Sequence, residues 1–347
     1  MARVTKYDIL RVVASFAIVL LHVSASYWSV VDVHSRDFLV MTIYNSFTRF
    51  AVPVFFMLSG LFLVTPERED TAVGKRVLKL VVLFYVWSAF YAFQGAAIDL
   101  IRGRFTMEVW TASVERFIFG HIHMWFLQML CGFYLLIPVA RQLGAKKEVL
   151  KYYLILWVAF RYLFPCFTGI FHLYTVQARI DSLGMDTLAG NFGYFLLGYY
   201  LNVTDIKKEV RRVIYAMGIV SACLTVCLTV RDCRASGTYV ETWFSPASLN
   251  ILIMSTAIFL CFKYSQIFDN SRVKKIGMWA QLSKYTFFVY MFHVFVIEKL
   301  NLLGITTVSF PAVISIPVLT VFTFFVSLLG ALIVDHVSVI KKIVMLH

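Results

Sequence analysis

The stretch Asp8-Ile-Leu-Arg11-Val-Val-Ala-Ser15-Phe-Ala-Ile-Val-Leu-Leu-His22-Val-Ser-Ala-Ser26 decides how the chain is read. It is apolar enough to cross a bilayer core of about 30 Å as a helix. Arg11 and His22 stand eleven residues apart within it. At about 100° per residue, eleven steps return to within about 20° of the starting direction. The two side chains therefore share a helix face, about 16 Å apart along the axis. Asp8, Ser15, Ser26 and Ser29 fall within about 60° of the same direction, with Val12, Phe16, Val19 and Val23 opposite. Ionisable groups at such depth are costly in lipid, so they face a cavity or partners inside the protein.

The whole chain is of the same class. Of its 347 residues, 60% are hydrophobic, 33 are Phe and only 15% are charged, whereas a soluble domain carries about 25% charge. The composition predicts an all-α, polytopic integral membrane bundle with the lipid bilayer as its partner. A net charge of +13 raises the question of nucleic acid. The basic residues, however, cluster in the gaps between apolar segments, which is a topology signature and speaks against a nucleic-acid partner.

About ten spans are predicted, at roughly 9–28, 42–64, 77–98, 122–140, 152–167, 188–203, 213–230, 246–262, 285–299 and 311–334. Twenty-two of the 32 Lys and Arg fall on the terminus side of these spans and 8 on the other, with Arg49 and Arg161 inside spans. That bias places both termini in the cytoplasm and the protein in the inner or plasma membrane. Ser24-Ala25-Ser26 resembles a signal-peptidase site, but cleavage there would discard the polar stripe, and nine further spans make a retained first helix natural. The longest loops are expected at 99–121, 168–187 and 263–284. With no internal repeat or low-complexity tract, residues 1–347 read as a single transmembrane domain. The six cysteines show no CxxC or zinc spacing. Cys223 and Cys227 lie one turn apart in an apolar run and read as packing. Cys166 and Cys233 both fall near the outer face, but spacing alone does not support a disulfide.

Several polar residues stand out. Asp8 and Arg11 are spaced for an i,i+3 ion pair at the entrance of the first span. His22 falls near mid-membrane, where a neutral imidazole is suited to general-base chemistry; a packed, hydrogen-bonded histidine is the plainer alternative. Arg49, with Asn45 on its face and Pro53 four residues on, suggests a lined cavity, against snorkelling to the interface. Arg161 divides between snorkelling and acceptor binding. His121 and His123 precede Trp125 at the outer mouth of the fourth span, with no further ligand nearby in sequence, so no metal is expected. Trp125 suits either an interfacial belt or a sugar-stacking platform. His293 and Glu298 are candidates to pair or to contact an acceptor. Asp335 and His336 read as interfacial.

Four motifs, in order, carry a family resemblance. Tyr7-Asp8-Ile-Leu-Arg11 with His22 at R-x10-H spacing resembles the start of the membrane acyltransferase-3 family. Arg49-Phe-Ala-Val-Pro53-Val-Phe-Phe56-Met-Leu-Ser59-Gly60 is similar to its R-x-x-V-P-x-F-F-x-x-S-G element. His123-Met-Trp125-Phe-Leu127 resembles H-L-W-[FY]-L, with Met in place of Leu, and Ser283-Lys-Tyr-Thr-Phe-Phe-Val-Tyr290-Met-Phe-His293 resembles S-x-x-[ST]-[FY]-x-[IV]-Y-L-x-H. The closest flavour is the bacterial surface-polysaccharide O-acetyltransferase without a soluble partner domain. The resemblance implies transfer of an acyl group, usually acetyl, from cytoplasmic acyl-CoA to a hydroxyl of an envelope carbohydrate. Arg11, Lys75, Arg76 and Lys79 would then meet the polyanionic end of CoA. Asp8, Arg11 and His22 would form the catalytic group, and Arg49, His123, Trp125, Arg161, Tyr290 and His293 would hold the acceptor. Physics alone leaves two other classes open. A transporter or flippase for a lipid-linked sugar or small polar solute would also use buried Arg, His and Asn, though no inverted repeat is visible. A non-catalytic sensor or assembly subunit is the third.

Overall fold

A computed structural model of the chain describes residues 5–65, 72–185, 190–268 and 276–345. Arg3, Arg68, Arg272, Lys274 and Lys275, which entered the charge bias, lie outside the described residues. Among the described residues the chain is all-helical, without strands. In chain order the helices are α1 (Thr5–Ala25), α2 (Arg36–Thr48), α3 (Ala51–Leu63), α4 (Val73–Ile101), α5 (Met107–Phe119) and α6 (Trp125–Leu135). They continue with α7 (Ile137–Ala145), α8 (Lys147–Val158), α9 (Phe164–Ile170), α10 (Tyr174–Asp181) and α11 (Phe192–Val203). The last are α12 (Lys208–Ser236), α13 (Leu249–Tyr264), α14 (Ile276–Leu302), α15 (Ala312–His336) and α16 (Ser338–Val344).

The helices gather into two compact units. One comprises Met1–Arg68, Pro138–Ser283 and Ile305–Thr320; the other comprises Glu69–Ile137, Lys284–Gly304 and Val321–His347. Among the described residues, eight stretches are long and apolar enough to cross a membrane: Thr5–Ala25, Arg36–Leu63, Val73–Ile101, Met107–Leu135, Lys147–Ile170, Lys208–Ser236, Thr242–Tyr264 and Ala312–His336. The protein is a multi-pass membrane protein. Two of the ten expected spans are helices outside this set. α11 has 12 residues, about 18 Å by helical rise and short of the bilayer core. α14 has 27 residues, but Lys284, His293, Glu298 and Lys299 dilute its apolar character.

The expected loop at 99–121 is largely helix. Thr106 caps α5, its side-chain oxygen accepting from the Val109 amide at 3.3 Å, and Glu108 sits favourably in the first turn. Glu108, Glu115 and Arg116 disguise this helix in a hydropathy reading, so the fourth span runs over Met107–Leu135 rather than 122–140. Likewise α10 lies within the expected loop at 168–187, and α14 begins within that at 263–284. The six cysteines are free, and the Cys233 thiol lies 3.1 Å from the Val240 amide.

In the first unit, α1 and α2–α3 are the innermost spans. Of their apolar windows 61% and 67% are buried, against 22% for Lys147–Ile170. Val12, Val19 and Val23 are buried as fully as Asp8 and Ser15, so α1 has protein rather than lipid on both faces. Close backbone contact locks α3 to α11. A Cβ on Gly60 would stand 1.7 Å from the Phe195 carbonyl oxygen, and one on Gly198 would stand 2.0 Å from that of Met57. Small residues at such crossings let membrane helices pack on van der Waals contact alone.

Candidate functional site

In the first unit, α1 carries Asp8, Arg11, Ser15 and His22 on one regular helix, so the shared face read from the spacing is present. Ser26 and Ser29 lie past its end at Ala25, in turns, and do not extend the stripe. Asp8 is buried; Arg11 and His22 are half-buried. Nη1 of Arg11 lies 3.4 Å from the hydroxyl of Ser283, and the guanidinium is 5.5 Å from the Phe62 ring centre. The first and fourth motifs thus meet. His22 Nδ1 lies 3.0 Å from the Ile18 carbonyl. A carbonyl only accepts, so Nδ1 carries the proton and the lone pair of the neutral imidazole resides on Nε2.

Two arginines of this unit sit at helix irregularities with one cause. A proline has no amide to bond the carbonyl four residues back, and its ring crowds that carbonyl. Pro53 stands four residues after Arg49, and the expected continuous second span breaks there into α2 and α3. Pro165 stands four residues after Arg161, and α8 and α9 are joined by a π-helical turn over Ala159–Leu163. Such wide turns often mark functional sites. Nε of Arg49 donates to Asn45 Oδ1 at 2.7 Å, and its guanidinium covers the Phe244 ring at 4.0 Å. Arg161 Nε is buried and, among the described residues, has no hydrogen-bond partner. Nearby, the hydroxyls of Tyr162 and Tyr194 both donate to the Pro246 carbonyl, at 3.1 and 2.8 Å.

In the second unit, Lys75, Arg76 and Lys79 occupy the first turns of α4, Lys75 exposed and the others half-buried. The helix N-terminus adds its own positive potential there. Further along α4 is a polar cluster built around Tyr91. Gly120, at φ 79°, ends α5 where a side chain would strike the Phe84 ring at 2.8 Å. The chain then turns through His121–Met124 into α6. His121 stacks on Tyr91, with ring centres 4.6 Å apart. Its Nδ1 lies 2.8 Å from Nδ1 of His123, and its Nε2 lies 3.1 Å from the Glu298 carboxylate. Gln94 donates to the other carboxylate oxygen at 3.3 Å. The rings of His123 and His293 are 5.7 Å apart, and both residues are buried. Tyr290 donates its hydroxyl to the His123 carbonyl. Nδ1 of His293 donates to the Val289 carbonyl at 3.1 Å. Trp125, the first residue of α6, is exposed.

Glu298 pairs with His121, and His293 donates its Nδ1 proton to the Val289 carbonyl of its own helix. The histidines adjoin Tyr91, about 15 Å by helical rise from the Ile101 end of α4. Tyr91 itself was missed. Its hydroxyl donates to the Met291 carbonyl at 2.6 Å and accepts from the Phe295 amide at 3.1 Å. An uninterrupted α-helix pairs those two groups with each other, so the phenol is set into the ladder of α14. One tyrosine among 18 gives no sequence signal for that. Among the described residues, no three His, Cys, Asp or Glu are grouped to hold a metal ion.

No curated protein and no solved structure matches the chain. A family model described as an acyltransferase domain does, over residues 4–336. That range takes in all four motifs, from Tyr7 to His293. With the R-x10-H pair on one helix, and Arg11 on α1 touching Ser283 of the fourth motif, the chain belongs to the acyltransferase-3 family and is a membrane acyltransferase.

Proposed function

We propose that the protein transfers an acyl group, acetyl in the simplest case, from cytoplasmic acyl-CoA to a hydroxyl of a cell-envelope carbohydrate, in the inner or plasma membrane. The observation that carries this reading is the tautomer of His22, whose Nδ1 bond to Ile18 leaves the basic lone pair on Nε2, one helix face from Arg11. The spacing of about 16 Å is comparable to the reach of an extended pantetheine arm. Arg11 takes a phosphate of the donor; Lys75, Arg76 and Lys79 of the second unit are the other cationic candidates for a nucleotide phosphate. Nε2 of His22 removes the acceptor hydroxyl proton as the oxygen attacks the thioester carbonyl. The carbon–sulfur bond then breaks, and the imidazolium returns the proton to the departing CoA sulfur. Asp8 supports the charge of Arg11. The candidates for carbohydrate contact are Arg49 and Arg161 in the first unit and His123, Trp125, Tyr290 and His293 in the second, residue types whose donors, acceptors and aromatic faces suit a sugar.

The test is acetyl transfer by purified protein in lipid, with CoA release as the readout. His22→Ala should bind acetyl-CoA as wild type does and lose about 10²–10⁴-fold in turnover, the usual contribution of a positioned base. Retention of more than about a tenth of the rate, against that expectation, would remove His22 from the chemistry. Wild type that never consumes acetyl-CoA would remove the donor assignment.

A further inference from the structure

The second motif holds a cation whose hydrogen-bonding capacity the described residues do not fill. Arg49 lies within the membrane span Arg36–Leu63, where a charge is costly unless it is paired. Its guanidinium covers the Phe244 ring at 4.0 Å, and Nε donates to Asn45 Oδ1 at 2.7 Å. Nε can only donate, so the Asn45 amide turns its oxygen to the arginine and its NH2 elsewhere. Asn45 is wholly buried, and that NH2 has no hydrogen-bond partner among the described residues. The two terminal nitrogens of Arg49 have none there either, and on the half-buried side chain they remain accessible. Every unspent group of the pair is therefore a donor. Among the described residues, the carboxylate whose field reaches Arg49 is that of Glu241, which is exposed and makes no hydrogen bond to it. A second cation adds to the field. Pro246, two residues after Phe244, accepts from Tyr162 and Tyr194, and Arg161 lies in electrostatic reach of both phenols. All of these residues belong to the same compact unit as His22.

We propose that Arg49 and Asn45 form an oxyanion site, which takes a carboxylate or phosphate carried by the acceptor saccharide. This rests on the acyltransferase reading for the identity of the ligand, and it deepens that reading by making the acceptor an acidic saccharide. The edge of a guanidinium matches two oxygens of a carboxylate or phosphate, and the Asn45 NH2 supplies a further donor. A neutral sugar hydroxyl would leave the charge unmatched. Phe244 occupies the face of the guanidinium, so the edge stays open for the ligand. Glu241 is the internal rival of that ligand, because its negative charge opposes a second anion. An Arg49 that served only to clamp α2 to the turn at Thr242–Phe244 would need no ligand and would show no dependence on anions.

The test is thermal unfolding of purified full-length protein in nanodiscs of zwitterionic lipid, titrated at constant ionic strength with glucuronate, glucose 1-phosphate or glucose. A ligand that binds the folded state raises the midpoint according to its affinity. One or both of the anionic sugars should raise the wild-type midpoint, and glucose should not. A response to glucuronate identifies a carboxylated acceptor, and a response to glucose 1-phosphate a phosphate-linked one. Asn45→Asp is the deciding variant. It is isosteric, it keeps the bond to Arg49 Nε, and the NH2 it replaces had no partner to lose. Its carboxylate takes the place meant for the ligand, so it should fold as wild type does and bind the anionic sugars about ten- to a hundredfold more weakly, the weight of one charge-assisted bond. Glu241→Gln should bind them about two- to fivefold more tightly, because one partly screened like charge is removed. Equal shifts with glucose and the anionic sugars would overturn the proposal, as would unchanged anion affinity in Asn45→Asp or weaker affinity in Glu241→Gln. The measurement needs no acetyl-CoA. Anion binding without CoA release by wild type would leave the site standing and end the acyltransferase reading, whereas CoA release without anion binding would end only the site.

Discussion

Replacing Gly60 by alanine puts a methyl group where α3 meets α11. The new carbon would stand 1.7 Å from the Phe195 carbonyl oxygen and 2.5 Å from its carbonyl carbon. Real contacts of this kind stay above 3.0 Å, so the helices must part by at least 1.3 Å. The obstacle is backbone, and no rotamer change can relieve it. A gap of about 0.5–1 Å already forfeits a quarter to a half of a dispersion contact, so the loss extends along the whole seam, where Gly198 meets the Met57 carbonyl at the same range. The cost should reach or exceed the upper end of the usual overpacking range of about 1–3 kcal/mol. The assay is the fraction surviving heat as a monodisperse peak in detergent, compared with Ser59→Ala. Ser59 is the next residue of the same motif, and its hydroxyl only back-bonds to Phe55 at 2.9 Å. A Gly60→Ala midpoint no lower than that of Ser59→Ala would refute the reasoning. If Gly60→Ala also loses acetyl transfer, the loss should track the folded fraction, because Gly60 serves packing and not chemistry.

Arg11→Ala should weaken acetyl-CoA binding by about 1.5–3 kcal/mol, the range for a charge-assisted bond, and Arg11→Lys by less. Calorimetry on folded protein checks this, and equal affinities would remove Arg11 from the donor site. Between α11 and α12, the Tyr264 hydroxyl at 2.7 Å holds the Asp205 carboxyl below its ordinary range, with Lys263 and Arg211 adding to the effect. A lowered native pKa stabilises the fold above the ordinary value of about 4, and that stability fades as pH falls through the native value. The gap in thermal midpoint between wild type and Asp205→Asn should therefore be widest above about pH 4 and close in acid; a gap that widens on acidification would count against it.

Much of this protein was legible because its chemistry is local. The eleven-residue step from Arg11 to His22 needs only a helix to put both on one face, and α1 is one. Composition sufficed for the all-helical membrane class. Legibility failed where structure depends on partners remote in sequence or on a helix whose charges hide it. α5 carries Glu108, Glu115 and Arg116 and reads as loop until Thr106 is seen capping it. The break at Arg49 was foreshadowed by Pro53, whose effect four residues back is ordinary backbone chemistry. The pairing of His121 with Glu298 spans 177 positions, and no periodicity reports a contact of that kind. The third motif looked like a surface signature because hydropathy places His123 at a span end. A glycine with positive φ at position 120 turns the chain out of α5 into the short segment where His123 is buried.

The phenol of Tyr91 has a consequence for how α14 opens. A helix usually frays by breaking its own i→i−4 bonds one at a time, and its amides exchange with solvent accordingly. The Phe295 amide also donates to a side chain of α4. Its exchange should therefore require the parting of two helices as well as the unwinding of one. Under isotope labelling it should be released together with the turn that carries Tyr290 and His293, at a rate set by how often α4 and α14 separate. A single backbone amide thus records the opening of the histidine cluster.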